Sequence, residues 1–421
     1  MIIKKFNNII NSKFLRNLII LASGTAVAQI IGLAASPILS RLFSPEEFGV
    51  YGALLSMVGI IAAIGSLKYE MALVIERDDK NAQSLQTLCF LILAAITTVS
   101  FVIFIFLPDM VSSIFKTPRL TELLPLALIV LILTGSYNIF NYRLNRELAY
   151  AISAKASILQ RIATVSIQVL VGVFSATAFT LVLGNIVGLI LSIFVIMASG
   201  SVGFLSSENK IDQLLGVAKK YRKYPIYTAP QNLISTVSLS FPVFIIGASQ
   251  GIEAVGSFWF TMRVLHLPGR FLGQAVHQVF FREAAELKYD AVLLKRRFDQ
   301  TMFLLIGMIA IPTILIVIWG PQIFLAVFGS EWLLAGELSR WLMLLFTVTI
   351  CNPPATAICQ VYERNDLHLK FEVIQAIGRL ASLLVPVYLN ASLLTVVAVY
   401  SVFGALFNLF FIIYVRVSII K

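Results

Sequence analysis

Runs of about 20 apolar residues recur from one end of the chain to the other, and no other feature limits the fold so strongly. Each run is long enough to cross a hydrocarbon layer as a helix. Without water to satisfy the backbone, only helices and closed barrels can do so. Barrel strands would read as alternating segments of about ten residues, whereas these runs are continuous. An all-α integral membrane fold follows. Twelve spans are predicted, at 17–39, 49–67, 84–107, 121–141, 157–175, 178–199, 226–248, 254–280, 300–319, 333–360, 370–389 and 393–415. The composition agrees, with 59% hydrophobic residues, 13% charged residues and a mean hydropathy of +0.91. An ordinary soluble protein is about 25% charged.

A formal net charge of +11 would suggest nucleic acid in a soluble chain. Here it follows the topology. With both termini cytoplasmic, 25 of the 32 lysines and arginines fall on the inner side, counted with Arg143, Arg146, Lys155 and Arg161 after the fourth span. This is the bias that orients membrane helices, and no nucleic-acid partner is implied. At the N-terminus, Ile3, Phe6, Ile10 and Phe14 share one helical face among lysines, which predicts a basic interfacial helix. A cleaved signal peptide fits less well, because the apolar stretch continues through Leu39.

The longest polar interval, Ser201 to Tyr224, reads as a linker between two halves, 1–205 and 206–421. The halves resemble each other. EEFGVY at 46–51 precedes EAVGSF at 253–258 by 207 residues, and VIERDDK at 74–80 precedes FREAAEL by the same distance. Gln160-Arg161-Ile162-Ala163-Thr164 matches Gly378-Arg379-Leu380-Ala381-Ser382 at an offset of 218. A six-span repeat keeps its orientation, so the pseudo-twofold axis lies along the membrane normal. The expected architecture is two pseudo-symmetric six-helix bundles around a central cavity, as in transporters.

The stretch from Val255 to Ala284 carries Arg263, His266, Arg270 and His277 inside an otherwise apolar span. At helical periodicity these four, with Trp259 and Gln274, fall within an arc of about 80°. A cation at the bilayer centre costs about 2.5–3.5 kcal/mol even on the lenient insertion scale. The stripe therefore faces water, a counter-charge or an anionic ligand. Ion pairing inside the bundle is the bland alternative, but acidic residues within the spans are scarce. Arg379 lies in the eleventh span with Glu372 and Gln375 on its face, so pairing with Glu372 competes with a binding role. Gln29 in the first span and Gln231 and Asn232 in the seventh either line the cavity or hydrogen-bond between helices. Lys68 and Glu70 read as interfacial, and His368 as a solvated loop residue.

No phosphate-cradling glycine loop, HExxH, CxxC or Ser/His/Asp set is present, so no cofactor, metal or catalytic group is expected. Cys89, Cys351 and Cys359 sit in apolar surroundings and read as small core residues.

The segment SPILSRLFSPEEFGVYGALLSMVGIIAAIGSLKYEMAL at 36–73 resembles the first-to-second-span region of bacterial polysaccharide (O-antigen repeat-unit) flippases. These belong to the multidrug/oligosaccharidyl-lipid/polysaccharide exporter superfamily. Arg-Leu-Phe-Ser-Pro-Glu-Glu-Phe-Gly at 41–49 is the most telling piece, and KKYRKYPIYTAPQNLISTVSLSFPVFII at 219–246 is similar to that family's entry into its second half. The resemblance implies flipping of undecaprenyl-diphosphate-linked oligosaccharide repeat units to the periplasmic leaflet of the bacterial inner membrane by alternating access. It also implies a cationic lumen, membrane lipids as surroundings, and a polysaccharide polymerase and chain-length regulator as partners. Arg263 and Arg270 would hold the diphosphate or an acidic sugar, with His266 and His277 auxiliary. The competing functions are an ion-coupled small-molecule exporter of the same superfamily and a membrane-embedded glycan polymerase or ligase.

Overall fold

The computed structural model describes residues 13–106, 108, 117–202 and 211–419, and their side chains except at 13–23, 267–272, 274, 275, 278 and 365. The expected interfacial helix at the N-terminus lies outside the described residues. Among those described there is helix and no strand. Every predicted span has become a helix or a bent pair of helices. The first half contains α1 (Lys13–Ala34) with α2 (Ser36–Leu42), α3 (Pro45–Ala62), α4 (Asp79–Phe106), α5 (Leu124–Arg146), α6 (Tyr150–Gly172) and α7 (Ala178–Ala198). A short helix α8 (Ile211–Lys220) follows. The second half contains α9 (Ala229–Gln250), α10 (Ile252–Glu286), α11 (Ala291–Phe328), α12 (Leu333–Ile350) with α13 (Pro353–Val361), α14 (Asn365–Tyr388) and α15 (Leu393–Tyr414).

Among the described residues, nine helices are long and apolar enough to cross a membrane. The helices α3, α6 and α10 fall short because they carry charge or polarity: Glu46 and Glu47, Lys155 and Arg161, Arg263 and Arg270. Helices also outrun the hydropathy-based spans. Helix α6 starts at Tyr150 and not at 157, and α11 starts at Ala291 and not at 300. Hydropathy locates the apolar middle of a helix, while backbone hydrogen bonding continues into its polar ends.

The chain divides into two compact units, one of Met1–Phe43 and Val50–Ser240, the other of Ser44–Gly49 and Phe241–Lys421. In the first unit, α1 lies against α6. A Cβ on Gly24 would collide with Ala154, one on Gly32 would sit 3.1 Å from Arg161 Nε, and one on Gly172 would meet Phe43 at 2.7 Å. The contact register advances in the same direction on both helices, so the first and fifth spans are parallel, as two odd-numbered spans must be. The polar interval after α7 is more than a linker. Helix α8 buries Val217, and the Tyr69 hydroxyl donates to Ala218 O at 3.1 Å. Lys220 Nζ and the Tyr221 hydroxyl both donate to Glu76 Oε2, at 2.5 and 2.9 Å. Arg146 adds a bond from Nε to the Glu76 carbonyl at 3.0 Å. Glu70 is likewise buried and not interfacial: the chain turns back through left-handed Leu67 and Lys68, and Ser66 donates its hydroxyl to the Glu70 carboxylate.

In the second unit the ring of Phe48 meets Phe260 and Trp332 edge-on, each at 5.3 Å between centroids, around a fully buried Trp332. Beside this knot the starts of α3 and α10 cross at Gly49 and Gly256, the two glycines of EEFGVY and EAVGSF. A Cβ on Gly49 would collide with the carbonyl of Ile252, and one on Gly256 with the carbonyl of Pro45. Pro45 and Ile252 are themselves 207 residues apart. A contact in which i meets j′ and j meets i′ is the pattern of a local two-fold axis.

Two predictions follow from this packing. Burial opposes charge on Glu76, but hydrogen bonds from Lys220, the Asp78 amide and Tyr221 hold its carboxyl down to about 2, from an ordinary 4.5. A depressed carboxylate stabilises the folded form above its unfolded pKa, so docking of α8 is undiminished at pH 5–8 and is lost only as pH falls toward 2. Glu76→Gln should raise the rate of tryptic cleavage at Lys219–Lys223 several-fold at pH 7; unchanged cleavage would show that α8 is held by its apolar contact alone. Gly256→Ala should destabilise the protein by about 1–3 kcal/mol in thermal unfolding. The roughly 1 kcal/mol that alanine adds to a helix is outweighed, because the obstructing atom is backbone and cannot swing away.

Candidate functional site

The charged stripe lies on α10. At 35 residues this helix is about 52 Å long, well beyond the roughly 30 Å of a hydrocarbon layer. It runs unbroken through position 268. Arg263, the twelfth residue, is half-buried with its guanidinium 5.7 Å from the Trp259 ring centroid, so these two share a face as the spacing requires. His266 packs at 5.2 Å on Phe346 of α12, and His277 stacks at 6.1 Å on Phe281. The Arg270 and Gln274 side chains lie outside those described.

Arg379 is on α14, the fifteenth residue of 24. Its Nε is buried without a hydrogen-bond partner, as is Gln375 Nε2 one turn earlier. The expected pairing with Glu372 does not form. Seven helical residues rise about 10 Å, too far for a direct contact along one helix. Glu372 instead lies 3.9 Å from His368 Nε2. That histidine is not in a loop, since α14 begins at Asn365, and its ring rests 5.7 Å from Phe411. No carboxylate contacts Arg379 among the described residues.

Gln29, Gln231 and Asn232 belong to the first unit, whereas Arg263, His266, His277 and Arg379 belong to the second. Gln231 is exposed; Asn232 Nδ2 donates to Ala63 O at 3.2 Å, a bond between helices. Gln29 leaves a buried Oε1 without a partner. One turn beyond it, Gly32 provides the surface on which Arg161 lies, with Cζ 3.3 Å from the position of a glycine Cβ.

On hydropathy Arg161 counts with the inner-side charges because it falls in the first turns of the predicted fifth span, 157–175. Because α6 starts at Tyr150, Arg161 is its twelfth residue of 23, about 16 Å from the start and near mid-span. It is half-buried and makes no hydrogen bond or ion pair among the described residues. Its match to Arg379 across the repeat was the available signal. Each such cation costs about 2.5–3.5 kcal/mol at mid-bilayer if nothing compensates it.

Among the described residues no three His, Cys, Asp or Glu side chains gather as metal ligands. Cys89, Cys351 and Cys359 are buried and unbridged, as core residues.

Long apolar helices among the described residues define an all-helical, multi-pass membrane protein. The model of the family described as polysaccharide biosynthesis protein matches residues 38–337, and the chain belongs to that family. No curated protein sequence matches it. The fold is similar to that of the lipid II flippase MurJ in an inward closed conformation, with TM-score 0.75 and 14% identity over 94% of this chain and 87% of the other. An inward-facing multidrug resistance MATE transporter of the MOP superfamily gives 0.68 and 14%, over 93% and 94%. A MOP superfamily transporter from Pyrococcus furiosus, described as having a binding pocket of reverse polarity, gives 0.62 and 14%, over 96% and 95%.

If Arg379 serves a ligand and not the fold, Arg379→Met in the purified, ligand-free protein should leave the melting temperature unchanged or raise it. A fall of more than about 5 °C would mark it as structural.

Proposed function

We propose that this protein is a flippase that moves undecaprenyl-diphosphate-linked oligosaccharide repeat units from the cytoplasmic to the periplasmic leaflet for surface polysaccharide synthesis. It acts in the bacterial inner membrane, with both termini cytoplasmic, and the halves 1–205 and 206–421 alternate access between them. No covalent step is involved. Membership of a polysaccharide biosynthesis family supports the pathway, and the fold it shares with flippases and exporters supports transport.

The observation that carries the reading is the set of cations placed well inside spans, above all Arg263 on α10 and the uncompensated Arg379 on α14. A diphosphate concentrates negative charge, and guanidinium meets phosphate oxygens with parallel N–H donors. One contact at 4 Å and an effective dielectric near 20 is worth about 4 kcal/mol before desolvation. Arg263 and Arg270 hold the diphosphate or an acidic sugar, Arg379 assists, and His266 and His277 are auxiliary polar contacts. Gln29, Gln231 and Asn232 meet sugar hydroxyls. A polymerase and a chain-length regulator would receive the product.

The similarity to a multidrug transporter favours a second reading, export of a small molecule. A cationic cargo would need an acidic site; of the buried carboxylates described, Glu70 already has Ser66 and, at 3.5 Å, Lys68, Glu76 has Lys220, and Glu47 lies in the first turn of α3.

Arg263→Ala and Arg263→Gln in the native strain should lower surface polysaccharide at least tenfold and accumulate lipid-linked repeats in the cytoplasmic leaflet, at normal protein level. Arg263→Lys should restore part of the loss. Normal surface glycan in all three would refute the proposed site, and normal glycan in a strain lacking the whole protein would refute the function.

A further inference from the structure

The first unit carries a mid-span cation that the reading above does not use. Arg161 lies over Gly32 of α1, and no described residue accepts a hydrogen bond from its guanidinium. Its position is built from both helices. A Cβ at 32 would press on the Arg161 side chain at 3.1–3.3 Å, and a larger side chain would take its space. Gln29, on the same face of α1 one turn earlier, leaves an oxygen buried and unpartnered. Arg161 also corresponds to Arg379 in the repeat, which has the same lack of a carboxylate in the other unit. Arg340, for contrast, donates from Nη2 to the Ile318 carbonyl at 2.8 Å.

We infer that Arg161 binds a phosphate or diphosphate group within the first unit, with Gly32 as the surface that positions it and Gln29 as a neighbouring hydrogen-bond partner for the hydroxyls beside that group. This rests on the reading of the protein as a carrier of an anionic lipid-linked cargo and adds a binding residue that lies outside the α10 stripe. One turn nearer the start of α6, α1 and α6 form a groove of about 400 Å³, lined by Val27, Ala151, Ala154, Lys155, Ile158 and Leu159 among others. Its apolar wall suits a prenyl chain attached to the anion.

The test is binding of radiolabelled inorganic pyrophosphate and, separately, farnesyl diphosphate to the purified full chain in neutral detergent. Wild type is compared with Arg161→Gln, Arg161→Lys, Gly32→Leu and Arg263→Gln. A charge-assisted contact predicts that Arg161→Gln weakens binding by about tenfold or more, with Arg161→Lys in between. Farnesyl diphosphate should bind more tightly than pyrophosphate if the cargo is a lipid; equal affinities would assign Arg161 to a free phosphate compound. Gly32→Leu displaces only the end of a flexible side chain, so it should fold and show the same loss, which decides the matter if Arg161→Gln does not fold. Unchanged binding in both Arg161→Gln and Gly32→Leu, alongside a loss in Arg263→Gln, would overturn this inference and leave the flippase reading standing. Failure of wild type to bind either compound would overturn both.

Discussion

A polar group inside a bilayer has no water to fall back on, and the rest of this molecule is arranged around that constraint. Hydroxyls meet it cheaply by bonding back to their own helix: Thr97 to Leu93 O at 2.8 Å, Ser100 to Ile96 O at 2.8 Å, Thr313 to Ile309 O at 2.7 Å. Amides reach a neighbouring backbone, as Gln168 does to Leu181 O at 2.9 Å and Asn232 to Ala63 O. A guanidinium has five donors and a charge that no single carbonyl can balance. Arg340, half-satisfied by one carbonyl, still leaves its Nε without a partner. Arg161 and Arg379, for which no described residue accepts a hydrogen bond, are where the fold itself leaves the constraint unmet.

The same lack of water removes the usual reason for helices to pack, since lipid tails are as apolar as leucine. What remains is close approach. At Gly49 and Gly256 two helix starts come near enough that a methyl group on either would strike the other's backbone. Gly24 and Gly32 perform the same service for α1 against α6, and at Gly32 the space gained holds a side chain instead of a backbone. Small residues here set both the packing and the place where a cation can sit.

The spans were legible because hydrophobicity over 20 residues is a strong and additive signal. The repeat was legible at the level of short motifs, and its most telling piece, the glycine in EEFGVY and EAVGSF, is a point of contact. Less legible were the helix ends. Hydropathy fades where a helix leaves the apolar layer, so α6 read as starting seven residues late and Arg161 passed for a charge at the inner end of its span. Partner choice was hidden as well. Periodicity puts Glu372 and Arg379 on one face, where the rise of about 10 Å over seven residues already tells against direct contact, but it cannot foresee that Glu76 waits for Lys220 and Tyr221 from 144 and 145 residues away. The stripe on α10 was legible in part. Trp259 and Arg263 are together as the spacing requires, while the distribution of Gln29, Gln231 and Asn232 in one unit and the cations of α10 and α14 in the other is a property of the folded chain.

Comparison of the two halves separates two kinds of charge. Glu76 and Glu283 are equivalent at the 207-residue offset, and each has acquired a basic partner of its own: Lys220 in one half, and Arg297 at 3.1 Å in the other. The partners differ in position and type, as expected when any nearby cation will satisfy a carboxylate near a helix end. Arg161 and Arg379 behave oppositely. Around them glutamine has become glycine, isoleucine leucine and threonine serine, yet both positions remain arginine and neither has gained a described acid. A residue kept only for packing would be replaced at little cost by methionine or leucine, which fill similar space without a charge to compensate. An arginine that stays charged and unpaired in both copies is better accounted for by something that arrives from outside the fold, carries negative charge, and leaves again.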